Sequence, residues 1–186
     1  MGKLIFQINV SLDGYADHTA FEATADDEMH EFYTGLLDET EVALFGRVTY
    51  QLMESYWPHA HEDPKATSSM LRFADKFNSV AKIVFSRTLQ QANWNNTKLV
   101  RADVANEVLK LKKHSRRDIS VGGISLSREL MRLGLVDEYW IVLHPVLAGT
   151  GRRLFEGQND RVNLKLLESR SLRSGVVALH YSDKRD

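Results

Sequence analysis

Three short segments carry residue types suited to holding an anion. Phe45-Gly46-Arg47-Val48-Thr49-Tyr50 sets a glycine, a fixed cation and a hydroxyl where an apolar run gives way to a helical pattern. The first N–H groups of a helix have no intrahelical partner and favour negative charge. Phe85-Ser86-Arg87-Thr88 repeats the hydroxyl and cation after the next apolar run, and Val121-Gly122-Gly123-Ile124-Ser125-Leu126 offers two residues without side chains before another helical stretch. Glycines there let a ligand approach the backbone. Each segment taken alone also reads as an ordinary strand-to-helix turn with a surface arginine. Taken together they suggest a phosphate clamp, and the paired hydrogen bonds of a guanidinium suit a 2′-phosphate, which points to NADPH over NADH.

Residues that could act on a substrate are fewer. Glu28 and Phe32 are four apart and share one face of a helix; a partly buried carboxylate there could donate a proton, whereas an exposed one beside Asp26 and Asp27 would only favour the helix dipole. Asp13 before Gly14 caps a turn or faces a ligand. Tyr33, Met53 and Trp57 would wall a site for a flat ring, or belong to the core. His59-Ala60-His61-Glu62-Asp63 lacks the spacing of a metal motif, so it reads as an exposed loop and no metal is assigned. Gly149-Thr150-Gly151 is followed by Leu154, not a third glycine, and is expected to shape the end of a sheet.

The elements that must position these groups follow from periodicity. Leu4 to Val10, Val42 to Phe45, Lys82 to Phe85, Lys98 to Val100, Ile119 to Val121 and Tyr139 to Leu143 read as strands. Helices are expected from Asp26 onward (Met29, Phe32, Tyr33, Leu36, Leu37), between Gly46 and Pro58, around Met70 to Phe77, after Asp103, and from Leu126 to Gly134. Val162 to Leu167 and Val176 to Tyr181 flank a Ser174-Gly175 turn as an antiparallel pair. This order predicts an α/β domain spanning 1–186, with a mostly parallel sheet covered by helices and an antiparallel extension at its end.

Composition removes several classes of function. The 186 residues carry 24 Lys plus Arg against 25 Asp plus Glu, with 43% hydrophobic residues and no cysteine. Near-neutral charge gives no field for nucleic acid or anionic membranes. Absence of cysteine excludes disulfides and thiolate chemistry and suits a cytoplasmic setting. No signal-peptide pattern or membrane-length apolar run is present. Asn95-Asn96-Thr97 is expected to be a plain turn.

In order, Ser11-Leu12-Asp13-Gly14, Gly46-Arg47-Val48-Thr49-Tyr50, Phe85-Ser86-Arg87-Thr88-Leu89, Gly122-Gly123, Leu135-Val136-Asp137-Glu138 and Pro145 to Phe155 give a sequence that resembles the dihydrofolate-reductase-like superfamily. The resemblance is strongest to the branch related to the reductase domain of bacterial riboflavin biosynthesis. It implies a three-layer αβα fold, NADPH as hydride donor, a small heterocyclic (pterin- or pyrimidine-like) or carbonyl substrate, and a homodimer. It implies that Gly46, Arg47, Val48 and Thr49 with Phe85, Ser86 and Arg87 hold the adenosine-phosphate end of the cofactor, and that Gly122, Gly123, Ile124, Ser125 and Leu126 approach the diphosphate. Glu28 and Phe32 then resemble the acid and aromatic pair of folate reductases, and Asp13 a substrate-side group of the riboflavin-pathway 5-amino-6-(5-phosphoribosylamino)uracil reductase; Tyr33, Met53 and Trp57 would complete the substrate wall. Two departures bear on the substrate. Val121 stands where the riboflavin branch carries glutamate, and 16–25 lacks the tryptophan-and-proline approach of folate reductases. A nucleotide-binding regulatory module without turnover is the alternative reading.

Overall fold

The computed structural model describes residues 1–17, 19–23, 25–157 and 161–184. Its strands are β1 Leu4–Ser11, β2 Thr40–Gly46, β3 Ala81–Phe85, β4 Thr97–Val100, β5 Asp118–Gly122, β6 Glu138–His144, β7 Leu164–Ser171 and β8 Val177–Asp183. The helices are α1 Asp27–Glu39, α2 Arg47–Glu54, α3 Ser68–Ser79, α4 Val104–His114 and α5 Ile124–Arg132, with a 3₁₀ helix at Trp57–Glu62. The strands form one sheet in the order β4-β3-β2-β5-β1-β6-β8-β7. Pairing is parallel from β4 to β6 and antiparallel at β6–β8 and β7–β8. Among the described residues no helix is long and apolar enough to cross a membrane.

Alternation along the strands sorts side chains to two faces. Leu4, Phe6, Ile8 and Val10 of β1 join Val42, Leu44, Ile119 and Val121 in a core closed by Val108 of α4 and Ile124, Leu126 and Leu130 of α5. On the opposite face Ile5 packs with Met29 and Phe32 of α1, and Ala43, Phe45 and Val84 with Tyr50 of α2 and Phe77 of α3. The result is the expected three layers. Gln7 and Asn9 fall on the face of Ile5, so β1 carries two polar side chains on one buried face of a central strand.

Helix ends divide into two kinds. Asp26, Thr67 and Asp103 cap α1, α3 and α4 by accepting from N–H groups of the first turn. The N-caps of α2 and α5 are Gly46 and Gly123, which offer no side-chain acceptor. At its far end α3 is closed by Lys82: the buried ammonium donates to the carbonyls of Phe77 (2.8 Å), Asn78 (3.3 Å) and Val80 (2.7 Å) and lies over the Trp94 ring. Burial pushes its pKa down to about 8.

Two expectations change. His59 to Asp63 is not a loop: most of it is the 3₁₀ helix, continuing from Pro58, with His59 on Glu62 (3.0 Å) and His61 on Asp75 (2.7 Å). The C-terminal strands run longer than their apolar runs, because β7 is a largely exposed edge strand whose polar residues pair as readily as its leucines. Asn95-Asn96 is a turn, with Asn96 at φ 59, and Thr97 opens β4.

Candidate active site

A cavity of about 800 Å³ opens at the C-terminal ends of the central strands. It is bounded by β1, β2 and β5 and by α1, α2 and α5, at the C-terminal ends of parallel strands where crossovers diverge in direction; open α/β sheets bind ligands at such a place.

Register explains why the three glycine- and arginine-bearing turns meet. Gly46 pairs with Phe85, and Phe45 pairs with Gly122. The turns after β3, β2 and β5 therefore stand side by side, with Gly46-Arg47 in the middle. Gly46, Arg47, Val48, Thr49, Gly122, Gly123, Ile124, Ser125 and Leu126 all line the cavity. Gly123 adopts φ +86, and a Cβ there would meet Thr49 Oγ1 at 2.2 Å. The two turns are that close. Because neither glycine caps its helix with a side chain, two helix N-termini present free N–H groups to one space, an arrangement that attracts anions. Arg47 is exposed and bonded to Gln51 Oε1 (3.0 Å).

Arg152 was missed at the sequence level as a site residue. It lines the same cavity and donates to Ser125 Oγ at 3.2 Å, in the first turn of α5. Its loop is fastened at both ends. Asp13 accepts from the N–H groups of Ala148 (3.0 Å) and Gly149 (2.8 Å) and from Ser11 Oγ (2.6 Å), while Arg128 of α5 donates to the carbonyls of Leu154 (3.2 Å) and Arg153. The Ser11 hydroxyl and these amides hold the Asp13 carboxyl down to about 2. Asp13, expected as a catalytic candidate, is thus a loop anchor and is not among the residues that line the cavity.

Glu28 and Phe32 are likewise not among the residues that line the cavity. They do share a helix face, but that face points toward β6 and the turn between β7 and β8. Glu28 Oε2 accepts from the Arg173 N–H (2.8 Å), and Phe32 packs edge-on against Trp140 with ring centroids 5.3 Å apart. At about 100° per residue, Met29, Tyr33, Leu37 and His30 form the adjoining arc, and all four line the cavity. The titratable side chains that α1 presents to the cavity are His30 and Tyr33. Tyr33, Met53 and Trp57 line it too.

Phe85, Ser86 and Arg87 stand outside the cavity wall. Phe85 is buried in the core, Ser86 Oγ accepts from the Thr88 (3.2 Å) and Leu89 (2.9 Å) N–H groups, and Arg87 is exposed. They occupy the next position in the row of turns, beside Gly46-Arg47.

The inner wall is polar on the sheet side. Gln7, Asn9 and Ser120 line it. Tyr33 donates to Asn9 Oδ1 at 2.9 Å, and the buried His144 Nε2 lies 3.0 Å from the same oxygen. Burial raises the Tyr33 pKa and lowers those of His30 and His144. The polar residues at alternate positions, Gln7 and Asn9, were the available sequence signal: two amides on one face of an otherwise apolar central strand. Gln7 and Ser120 also border a second cavity of about 190 Å³, where Glu138 holds Lys3 (2.6 Å) and His180 (2.8 Å).

A mostly parallel sheet covered by helices on both faces, with a row of glycine- and arginine-bearing turns beside a polar and aromatic pocket, makes a dihydrofolate-reductase-like fold. The chain belongs to the RibD C-terminal domain family, whose sequence profile matches residues 2–178. It is 34% identical over 183 residues to YyaP, an uncharacterized protein of Bacillus subtilis (strain 168), covering 96% of this chain and 94% of that one. A pyrimidine reductase-like protein of Corynebacterium diphtheriae has a TM-score of 0.67 at 15% identity, over 100% of this chain and 93% of the other. Dihydrofolate reductase from Enterococcus faecalis, solved in complex with NADP(H) and RAB-propyl, has a TM-score of 0.65 at 13% identity, over 98% or more of each chain.

Proposed function

We propose that this protein is an NADPH-dependent reductase that passes hydride to a small heterocyclic or carbonyl substrate. The observation that carries the reading is the convergence of two helix N-termini without side-chain caps, α2 and α5, on one cavity whose other end is walled by aromatic and amide side chains. The helix ends suit a diphosphate, with Thr49, Ser125 and Arg152 alongside. An extended cofactor would follow the row of turns, its adenosine phosphate toward Arg47 and the Ser86-Arg87 turn and its nicotinamide toward the pocket of Tyr33 and Trp57. Cofactor chemistry supplies the hydride; the chain holds the two reactants in line and excludes water.

Titration with NADPH and NADH, followed by tryptophan fluorescence and by melting temperature, tests this. NADPH is expected to bind and stabilise. Arg47→Ala should weaken NADPH roughly tenfold or more, as loss of a charge-assisted bond of about 1.5–3 kcal/mol requires, and weaken NADH much less. Absence of any NADPH effect on the wild-type protein overturns the reading.

Binding of NADPH with no oxidation across pterins, pyrimidines and small carbonyls would favour the non-catalytic nucleotide-binding module instead. The same reading takes the protein as a cytoplasmic homodimer, with no nucleic acid or membrane partner.

A further inference from the structure

The second cavity, of about 190 Å³, lies on the α1 face at the N-terminal ends of β1, β5 and β6, the end of the sheet opposite Gly46 and Gly122. Among the described residues four carboxylates border it: Glu39 from the end of α1, Asp118 from β5, Glu138 from β6 and Glu168 from β7. Two of them are answered. Glu138, 6% exposed, holds Lys3 on one oxygen (2.6 Å) and His180 on the other (2.8 Å), and Glu168 accepts from Arg170 (3.1 Å). Among the described residues no cation forms an ion pair with Glu39 or Asp118. Nearby cations are engaged elsewhere, Lys76 on the Asp38 carboxylate (2.7 Å) and Arg117 on the Asp38 carbonyl (3.0 Å). The last turn of α1 has no basic residue of its own, so the negative end of the helix adds charge of the same sign.

A second observation is independent of this charge. Ser120 is 7% exposed and borders the cavity, and its hydroxyl has no hydrogen-bond partner among the described residues. Buried hydroxyls are rarely left so unless a ligand or water takes them. Ser120 and Gln7 also border the large cavity and form the partition between the two. Asp118 stands two positions from Ser120 on the same face of β5 and borders the small cavity alone. Trp140 and His180, stacked with centroids 4.3 Å apart and planes 13° from parallel, give it a flat wall.

We propose that the second cavity is a binding site for a small guanidinium-type cation, a flat group with several N–H donors, held by Asp118 and Glu39 with the Ser120 hydroxyl as a further acceptor. A carboxylate can take two parallel bonds from a guanidinium, and the planar fork suits an aromatic wall. A metal ion is the poorer match: among the described residues no three His, Asp or Glu side chains are grouped so as to hold one. Burial pushes the Asp118 pKa up, and Glu138 and Glu39 add repulsion that Lys3 offsets only in part. A cation between these carboxylates relieves that repulsion. The site stands whether or not the large cavity belongs to a reductase.

Methylguanidinium chloride is the probe, titrated into the full-length protein by calorimetry at constant ionic strength. Tetramethylammonium chloride, which has charge but no N–H donor, and urea, which has donors but no charge, are the controls. Methylguanidinium should bind saturably, at least about tenfold more tightly than either control, a 1.4 kcal/mol preference. Asp118→Asn should weaken it about tenfold, as loss of a charge-assisted bond requires. Glu39→Gln, at an exposed position, should weaken it about threefold, the scale of an exposed ion pair. In proton–nitrogen NMR spectra the probe should shift the Trp140 indole and the Ser120 and Glu39 amides. Absence of saturable binding, equal binding of either control, unchanged affinity in both variants, or shifts confined to large-cavity residues such as Thr49 and Trp57 overturns the proposal. If Asp118→Asn does not fold, Glu39→Gln and the NMR shifts decide.

Discussion

Gly123 and Thr49 show how single atoms set the distance between two turns. With a Cβ at position 123 only 2.2 Å from Thr49 Oγ1, and φ at +86, Gly123→Ala is expected to destabilise the protein by about 1–3 kcal/mol and to weaken NADPH. Chemical denaturation checks the first effect. Adding Thr49→Ala should recover part of the loss, so the double variant should be less destabilised than the sum of the two. Additivity would show that the two residues do not press on each other.

His30 and His144 make stability depend on pH. Burial holds both below the ordinary value of 6.5, so the unfolded chain takes up protons first as acid is added. Their contribution is complete above about pH 6.5 and is lost as pH falls from there through the lowered folded-state values. The urea midpoint should drop between pH 7.5 and 5, and the drop should shrink in His30→Asn. An identical drop in that variant would place the effect elsewhere.

Among the elements, the segment 145–154 matters most to the site, because it carries Arg152 and owes its place to contacts far away in sequence. Asp13 anchors it from the β1 side. Its carboxylate is held at about 2, below an ordinary 3.8, so the anchoring is present above about pH 4 and is lost as pH falls toward 2. Asp13→Ala should expose the Ala148 and Gly149 amides to hydrogen exchange and weaken NADPH while the β1–β6 pairing stays protected. Equal loosening of the sheet would show a general fold defect instead. The alternation in β1 has a comparable reach: Gln7 and Asn9 lie on the α1 face because Leu4, Phe6, Ile8 and Val10 claim the other.

For the whole molecule, the edge of the sheet bears on assembly. β7 is the terminal strand, and Leu166 and Leu167 on it are 50% and 46% exposed. Open edges with apolar side chains are sites of association. The proposed homodimer should have twice the 21.2 kDa mass in light scattering, and Leu166→Glu should shift it toward monomer. A wild-type monomer at micromolar concentration removes the dimer from the proposal.

Periodicity, glycine placement and cap residues are local properties, so the sequence by itself determined the elements, the alternation of strands with helices, and the three turns with their glycines and arginines. Asp103 and Gly134 mark helix ends where they were expected. Choices among faces were not local. Glu28 and His30 are two residues apart, and either could have met the cavity; which one does depends on how α1 is rotated when Met29 and Phe32 pack against the sheet. Arg152 depends on a loop tied to Asp13, 139 positions away in sequence. The glycine- and arginine-bearing turns with which the sequence reading began stand side by side in the tertiary structure, two of them as neighbouring helix ends. Which α1 side chains line the cavity was decided only by packing, because burying one stripe of α1 fixes what every other stripe can reach.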